Sequence, residues 1–333
     1  MRAPGAAAAV DALLEASVAG GFSRIGLAVR SRLLPEFTGP APAPAAGRTV
    51  LITGATSGIG HAAAVALARQ GAMVHFLARD PGRAARAQRE IATAAGGARV
   101  RYDIADLDDL GSVRSFGYRF AAAHGRLDIL IHNAGAIHPG YRTDPAGTEL
   151  TYSGQVVAPF LLTALLVPRL LAAGVARVVT VSSGGMYTAR AGAAEVPAGP
   201  AGYRGATAYA RAKRAQVLLS AEWARRLAGT GVAFHAMHPG WADTPGLAAA
   251  LPAFHRVMGP LLRSPEQGAD TIVWLATAAP ALLGTGGFWH DRRRRPAHLL
   301  PGAGADAAAG RRLWRRCAGL AGLAPGFALA GQG

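Results

Sequence analysis

The chain almost lacks lysine. It carries 35 basic residues, and all but Lys213 are arginine. It has a single cysteine, Cys317, which excludes an internal disulfide framework and any metal site built on cysteine alone. The ten histidines show no ligand spacing such as His-Glu-x-x-His, so no metal is expected. Acidic residues are few, 19, and the formal charge is +16. That balance invites nucleic acid or an anionic membrane. The arginines cluster late, however, at Arg292 to Arg295 and Arg311 to Arg316, and not along a predicted reading helix. A solvated basic tail is expected, and nucleic acid is disfavoured. Asp11 and Glu15 interrupt the early apolar residues, so no secretory signal is expected. The uncharged run Thr271 to Trp289 is broken by Pro280, Gly284, Gly286 and Gly287. It predicts a helix, a turn and a buried strand, not a membrane span.

What is present is strand and helix in alternation. At 333 residues the chain suits one α/β domain of about 250 residues with extensions. Residues 1–47 form a helical extension and a Pro/Ala linker, 48–290 the main domain, and 291–333 the arginine-rich tail. The segment 1–34 is mildly amphipathic. A packing helix is its plainest reading, with peripheral membrane contact or an organelle address as alternatives to a cytoplasmic protein. Thr49 to Thr53 reads as a strand, Thr53 to Gly60 as a Gly-rich turn, Ile59 to Gln70 as a helix and Met73 to Ala78 as a second strand. Glycines in such a turn let the backbone approach a pyrophosphate, whose charge then sits on a helix N-terminus. Gly54, Thr56, Ser57, Gly58, Ile59 and Gly60 are the candidates.

After the second strand, Ala78 stands where an NAD site would place an acid, and Arg79 follows. A guanidinium matches a 2′-phosphate, so NADP(H) is expected over NAD(H). Asp80 taking the ribose 2′-hydroxyl is the alternative. Further units follow: a strand at Val100 to Asp103, a helix at Leu107 to His124 and a buried strand from Ile129 to Gly135 that ends in small residues. Then come a long helix at Thr148 to Ala173, a strand at Arg177 to Ser183, a helix at Thr207 to Leu227 and a strand at Gly231 to His238. This alternation predicts a doubly wound parallel sheet of the Rossmann type, with ligands beyond the carboxyl ends of its strands. Asp103 and Ile104, at one such end, would lie by an adenine. Asn133, Ala134 and Gly135, at another, would let a cofactor lie close. Ser183 and Pro239 to Thr244 fall at further ends.

The lone lysine follows a tyrosine by four residues in Tyr209-Ala-Arg-Ala-Lys213. Residues i and i+4 share a helix face. The lysine can therefore approach the phenol and lower its pKa from about 10, giving a proton donor and acceptor usable near neutrality. Arginine would replace it poorly, since it cannot serve as a compact point charge.

Together, Thr53 to Gly60, Asn133-Ala-Gly135, Ser183, Tyr209-x-x-x-Lys213 and Pro239-Gly240 resemble the short-chain dehydrogenase/reductase family over about Arg48 to Phe288. Val181 to Met186, His238 to Gly246, Arg263 to Thr271 and Asp291-Arg292 resemble its member 12 branch. The resemblance implies hydride transfer between a nicotinamide and a carbonyl or alcohol carbon. It implies Tyr209 as general acid or base, Lys213 on the nicotinamide ribose, Ser183 (or Ser182) on the carbonyl oxygen and Thr244 on the carboxamide. It places Gln155 where the family carries an asparagine that orders a relay water. A working enzyme is favoured over a catalytically weak NADP(H)-binding sensor or scaffold. The 25 residues between Ser183 and Tyr209, with Met186, Tyr187 and Tyr203, read as a substrate loop. Together with the segment Pro245 to Leu262 and Trp241 they suggest a lipophilic carbonyl or alcohol. A homodimer is a further expectation of the family.

Overall fold

The computed structural model describes residues 4–38, 44–298 and 307–324. The expectations that fall on 1–3, 39–43, 299–306 and 325–333, which include most of the Pro/Ala linker and part of the tail, lie outside the described residues.

Four helices come first, α1 (Pro4–Ala16), α2 (Val18–Phe22), α3 (Arg24–Leu33) and a single turn at Pro35–Thr38. The alternating units then follow: β1 (Thr49–Thr53), α4 (Gly58–Arg69), β2 (Met73–Ala78), α5 (Pro81–Ala94), β3 (Val100–Ile104), α6 (Leu110–Ala123) and β4 (Ile129–His132). Next, Leu150–Tyr152 and a π turn at Ser153–Val157 run into α7 (Ala158–Ala172), followed by β5 (Ala176–Val181), α8 (Gly205–Arg226) and β6 (Val232–Met237). The chain closes with α9 (Pro265–Thr277), β7 (Gly287–His290), β8 (Arg293–Arg294) and α10 (Ala307–Leu320).

The sheet order is β3-β2-β1-β4-β5-β6-β7-β8. β1 to β7 pair in parallel, and β8 turns back antiparallel on β7. The strand order therefore reverses between β1 and β4, which opens a crevice above their carboxyl ends. Both faces are covered, so β1 is buried at every position. Val50 and Ile52 face a core shared with α4, α5 and α9, while Leu51 faces one shared with α6, α7 and α8. The stretch Leu150–Ala172 is apolar and long enough to cross a membrane, but most of it is buried inside the protein; core packing explains its composition.

The late arginines do not form the solvated tail expected of them. Arg292 pairs with Asp270 (2.6 Å), Arg293 and Arg295 with Asp11 (2.9 and 2.8 Å), and only Arg294 of that run is exposed. Arg311, Arg312, Arg315 and Arg316 are exposed, but on the outer side of α10. Its inner side buries Leu313, Trp314 and Cys317. Trp314 meets Phe160 and Trp223 edge-on, at centroid distances of 4.8 and 4.5 Å. Helical spacing of those apolar residues gives the segment an inner face.

The leading helices are likewise packed inward, as the plainest reading expects. Arg30 is buried and donates to Asp11, Glu15 and Asp291, each at 2.7 Å. Leu13, Val18 and Ile25 remain on the outside.

Candidate active site

The Gly-rich turn is built for close approach. Gly54 has φ +72°, and a Cβ there would sit 2.8 Å from Ala134 Cα. Thr53 Oγ1 accepts from the backbone N–H groups of Asn133 and Ala134 (3.0 and 3.1 Å). Asn133 Nδ2 donates to the carbonyls of Thr53 and Gly54 (3.1 and 3.0 Å). Asn133 is the chain's only asparagine, and its amide locks β4 to the turn. Ser57 precedes α4 as its N-cap but makes no side-chain bond to the helix. The first N–H groups of α4 thus lack a side-chain acceptor, which fits a pyrophosphate. Ile59 packs against Gly268 of α9, so its side chain supports the helix.

At the end of β2, Arg79 is exposed, with its guanidinium 3.7 Å from Asp108. Asp80 is occupied: its carboxylate caps α5 by accepting from Arg83 N (2.6 Å). That bond engages one carboxylate oxygen; Asp80, like Arg79, is exposed. Asp108 was not a sequence candidate. Burial first, then Asp106, raises its pKa. Asp103 and Ile104 end β3, opposite Leu77 and Ala78 of β2, with Ile104 exposed.

Ser183, Tyr209 and Lys213 come together beyond β5. The Ser182 hydroxyl is buried and donates to the Lys213 carbonyl (2.8 Å), so it ties β5 to α8. Ser183 is half-buried, and its hydroxyl accepts from Gly185 N (3.2 Å) and lies in hydrogen-bonding reach of Tyr209. This arrangement separates the two serines. Lys213 is buried, and its Nζ donates to Val181 O (3.0 Å) and lies 5.3 Å from the Tyr209 ring centroid.

The expected lowering of the phenol's pKa by the lysine does not hold in this structure. Burial raises the Tyr209 pKa and the Ser183 hydrogen bond only opposes it. Burial also lowers Lys213 to about 7, so much of the ammonium that would acidify the phenol is lost near neutrality.

Gln155 lies in the π turn beside this group. Its Nε2 donates to Ala136 O (2.6 Å), its carbonyl accepts from Gln216 Nε2 (2.7 Å), and its buried Oε1 has no partner. A Cβ on Gly135 would lie 2.9 Å from that Oε1 and 3.0 Å from Lys213 Nζ. Gly135 therefore has no side chain because the amide and the ammonium converge there.

Beyond β6, Pro239 leads into Gly240, at φ +73°. Thr244 caps the next helix by accepting from Leu247 N (3.2 Å), and its methyl carbon would touch a Cβ placed on Gly58. Three residues of the loop after Ser183 already have partners of their own. Met186 is buried in the core, the Tyr187 hydroxyl donates to Pro296 O (2.9 Å), and that of Tyr203 donates to Glu149 (2.9 Å). His238 is buried against His290, and His255 pairs with Asp243 (2.9 Å). Trp241, edge-on to Phe254 at 5.2 Å, remains on the open side.

A parallel sheet reversing at β1/β4, a Gly turn on a helix N-terminus and a Ser-Tyr-Lys group at the strand ends define a nucleotide-binding oxidoreductase. The family model for short-chain dehydrogenases matches residues 48–253, and the chain belongs to that family. It is 39% identical over 254 residues to dehydrogenase/reductase SDR family member 12 of Bos taurus, covering 76% of this chain and 79% of that one. It is 35% identical over 250 residues to retinol dehydrogenase 12 of Mus musculus, covering 74% and 79%. Among solved structures, a short-chain dehydrogenase from Escherichia coli CFT073 complexed with NADPH superposes with a TM-score of 0.62. That match has 25% identity and covers 76% of this chain and 100% of the other.

Proposed function

We propose that this protein is an NADP(H)-dependent oxidoreductase that interconverts a lipophilic carbonyl compound and its alcohol. The observation that carries the reading is the convergence of Ser183, Tyr209 and Lys213 beside Gly135. The bound nicotinamide supplies or accepts the hydride. Tyr209 gives its proton to the carbonyl oxygen in reduction and takes it back in oxidation. Ser183 donates to that oxygen as charge develops on it. Lys213 holds the ribose, and an anionic dinucleotide beside it favours its ammonium form, which then acidifies Tyr209.

The backbone of Gly54, Thr56, Ser57, Gly58, Ile59 and Gly60 would hold the pyrophosphate. Asp103 and Ile104 would contact the adenine, Asn133 fixes the Gly turn against β4, and Ala134 and Gly135 would let the nicotinamide lie close. Pro239, Gly240 and Thr244 would hold its carboxamide. Arg79 would take the 2′-phosphate, a reading supported by its exposed guanidinium at the end of β2 and by the NADPH complex of the solved relative. Trp241 with Phe254, and the similarity to retinol dehydrogenase 12, support a lipophilic substrate.

The second reading, a slow NADP(H)-binding sensor, draws on the unpartnered Oε1 of Gln155. One experiment separates the two. The purified chain is given NADPH or NADH with a panel of aldehydes and ketones, alongside Tyr209→Phe. Turnover with NADPH, reduced about 10²–10⁴-fold in the variant with NADPH affinity kept, is expected. A variant at the parent rate refutes the mechanism. Binding without turnover, relieved by Gln155→Asn, selects the sensor.

A further inference from the structure

The leading helices reach the reaction site itself. Phe22, the last residue of α2, is buried and lies between the turn after Ser183 and the loop after Pro239. On one side is the turn after Ser183: a Cβ on Gly184 would stand 2.4 Å from Phe22 Cε2. On the other is the loop after Pro239: Phe22 O accepts from Trp241 N (2.9 Å), and a Cβ on Gly240 would stand 2.7 Å from the same oxygen. The ring also meets His238, His290 and Trp241 edge-on at 4.5, 5.2 and 5.9 Å.

This placement is held by charge. Buried Arg263 donates to the carbonyls of Gly21 (3.0 Å), Ser23 (3.2 Å) and Pro239 (3.1 Å), and Asp291 joins it to Arg30 of α3. The extension and the nicotinamide-side loop thus share one set of guanidinium bonds. Glu15, His238 and His290 converge within the same cluster, but Arg30 already occupies the Glu15 carboxylate.

We propose that Phe22 is a positioning residue for the reaction: its ring sets the distance between the turn that aims Ser183 and the loop that carries Thr244. A side chain on Gly184 would collide with the ring, and one on Gly240 with Arg263 and the Phe22 carbonyl, and a displacement of about 1 Å in such a site can cost about 10²-fold in rate. The inference rests on the oxidoreductase reading.

It is tested in the full-length chain by Gly184→Ala, Phe22→Val and the double variant. Gly184 does not have a positive φ, and the three atoms nearest an alanine Cβ there all belong to the phenyl ring. Gly184→Ala is expected to lower kcat, counted per NADPH-binding site, by about tenfold or more with KM for the carbonyl little changed. Phe22→Val vacates the space the new methyl enters, so the double variant is expected to return to within about threefold of the parent. A role in stability alone would lower the melting temperature and the number of binding sites and leave kcat per site intact. Gly184→Ala at the parent kcat, or a double variant whose loss is the product of the single losses, overturns the proposal. Should Gly184→Ala not fold, Phe22→Leu and Phe22→Val are compared. A graded fall in kcat per site supports the proposal, and parent values overturn it. A parent chain that binds NADPH yet reduces no carbonyl sinks the oxidoreductase reading instead, and the coupling between positions 22 and 184 is then decided in NADPH affinity.

Discussion

Lys213 is a charge placed where charge is costly. Burial lowers its pKa from 10.5 to about 7, so below pH 7 it is protonated folded and unfolded alike. Between pH 7 and 10.5 the unfolded chain holds a proton that the folded chain has shed, and stability rises with pH across that window. Parent and Lys213→Met should therefore diverge, the parent gaining on the variant by up to about 1.4 kcal/mol per pH unit. Denaturant unfolding of both at pH 7 and pH 9.5 measures this. Arg79 is tested by charge reversal. In Arg79→Asp the ratio of NADPH to NADH in kcat/KM should fall by about tenfold or more, since a charge-assisted bond of about 1.5–3 kcal/mol is replaced by repulsion.

At this scale the sequence was most legible where a residue type is rare. A solitary lysine four after a tyrosine pointed to the site. The solitary asparagine carried the same signal and was taken only as a small residue near a cofactor; its two bonds to the Gly turn could not be read from spacing. Nor could the roles of Ser182 and Ser183 be separated before Lys213 was seen to accept from the first. The direction of the Tyr209 shift was missed because helical spacing gives proximity but not burial.

At the scale of elements, strands and helices of the main domain fell close to where hydrophobic pattern and turn residues put them, since a parallel sheet buried on both faces writes itself as apolar runs. The last helix was hidden by its arginines. Its inner residues Leu313, Trp314 and Cys317 fill a gap between α7 and α8, and burial pushes the Cys317 thiol up to about 12, so that thiol is packing rather than chemistry. Trp314→Ala should lower stability by about 3–5 kcal/mol, as large aromatic truncations in a core do. Thermal unfolding checks it, with NADPH affinity expected to persist below the transition. The turn from β7 to β8 was also illegible. Asp291 and Arg292 both have positive φ, 50° and 57°, a pairing usually left to Asn-Gly, and only the surrounding ion pairs explain why Asp291 tolerates it.

At the scale of the molecule, a buried charge cluster joins the first helices to the last strands. Burial alone would raise the Asp291 pKa, but His290, Arg263 and Arg30 hold it well below the usual carboxylate range. Asp11 behaves alike: burial opposes, while Arg295 and Arg30 bring it down to about 2. Groups lowered this way stabilise the fold above their unfolded pKa near 3.8, and that contribution is lost as pH falls from there through about 2. Asp291→Asn leaves two buried guanidiniums short of a carboxylate and should cost about 3–5 kcal/mol. Limited proteolysis between residues 4 and 38, together with the melting temperature, reports it. A variant as protease-resistant as the parent would show that the extension docks without this cluster.

The bend at Asp291 has a consequence for how the polypeptide comes into being. A carboxylate near the end of the chain is the keystone for an arginine 261 positions earlier. The first helices, in which Asp11 and Glu15 already pair with Arg30, are therefore synthesised long before Asp291, and they can seat against the loop after Pro239 only once that loop and Arg263 have been made.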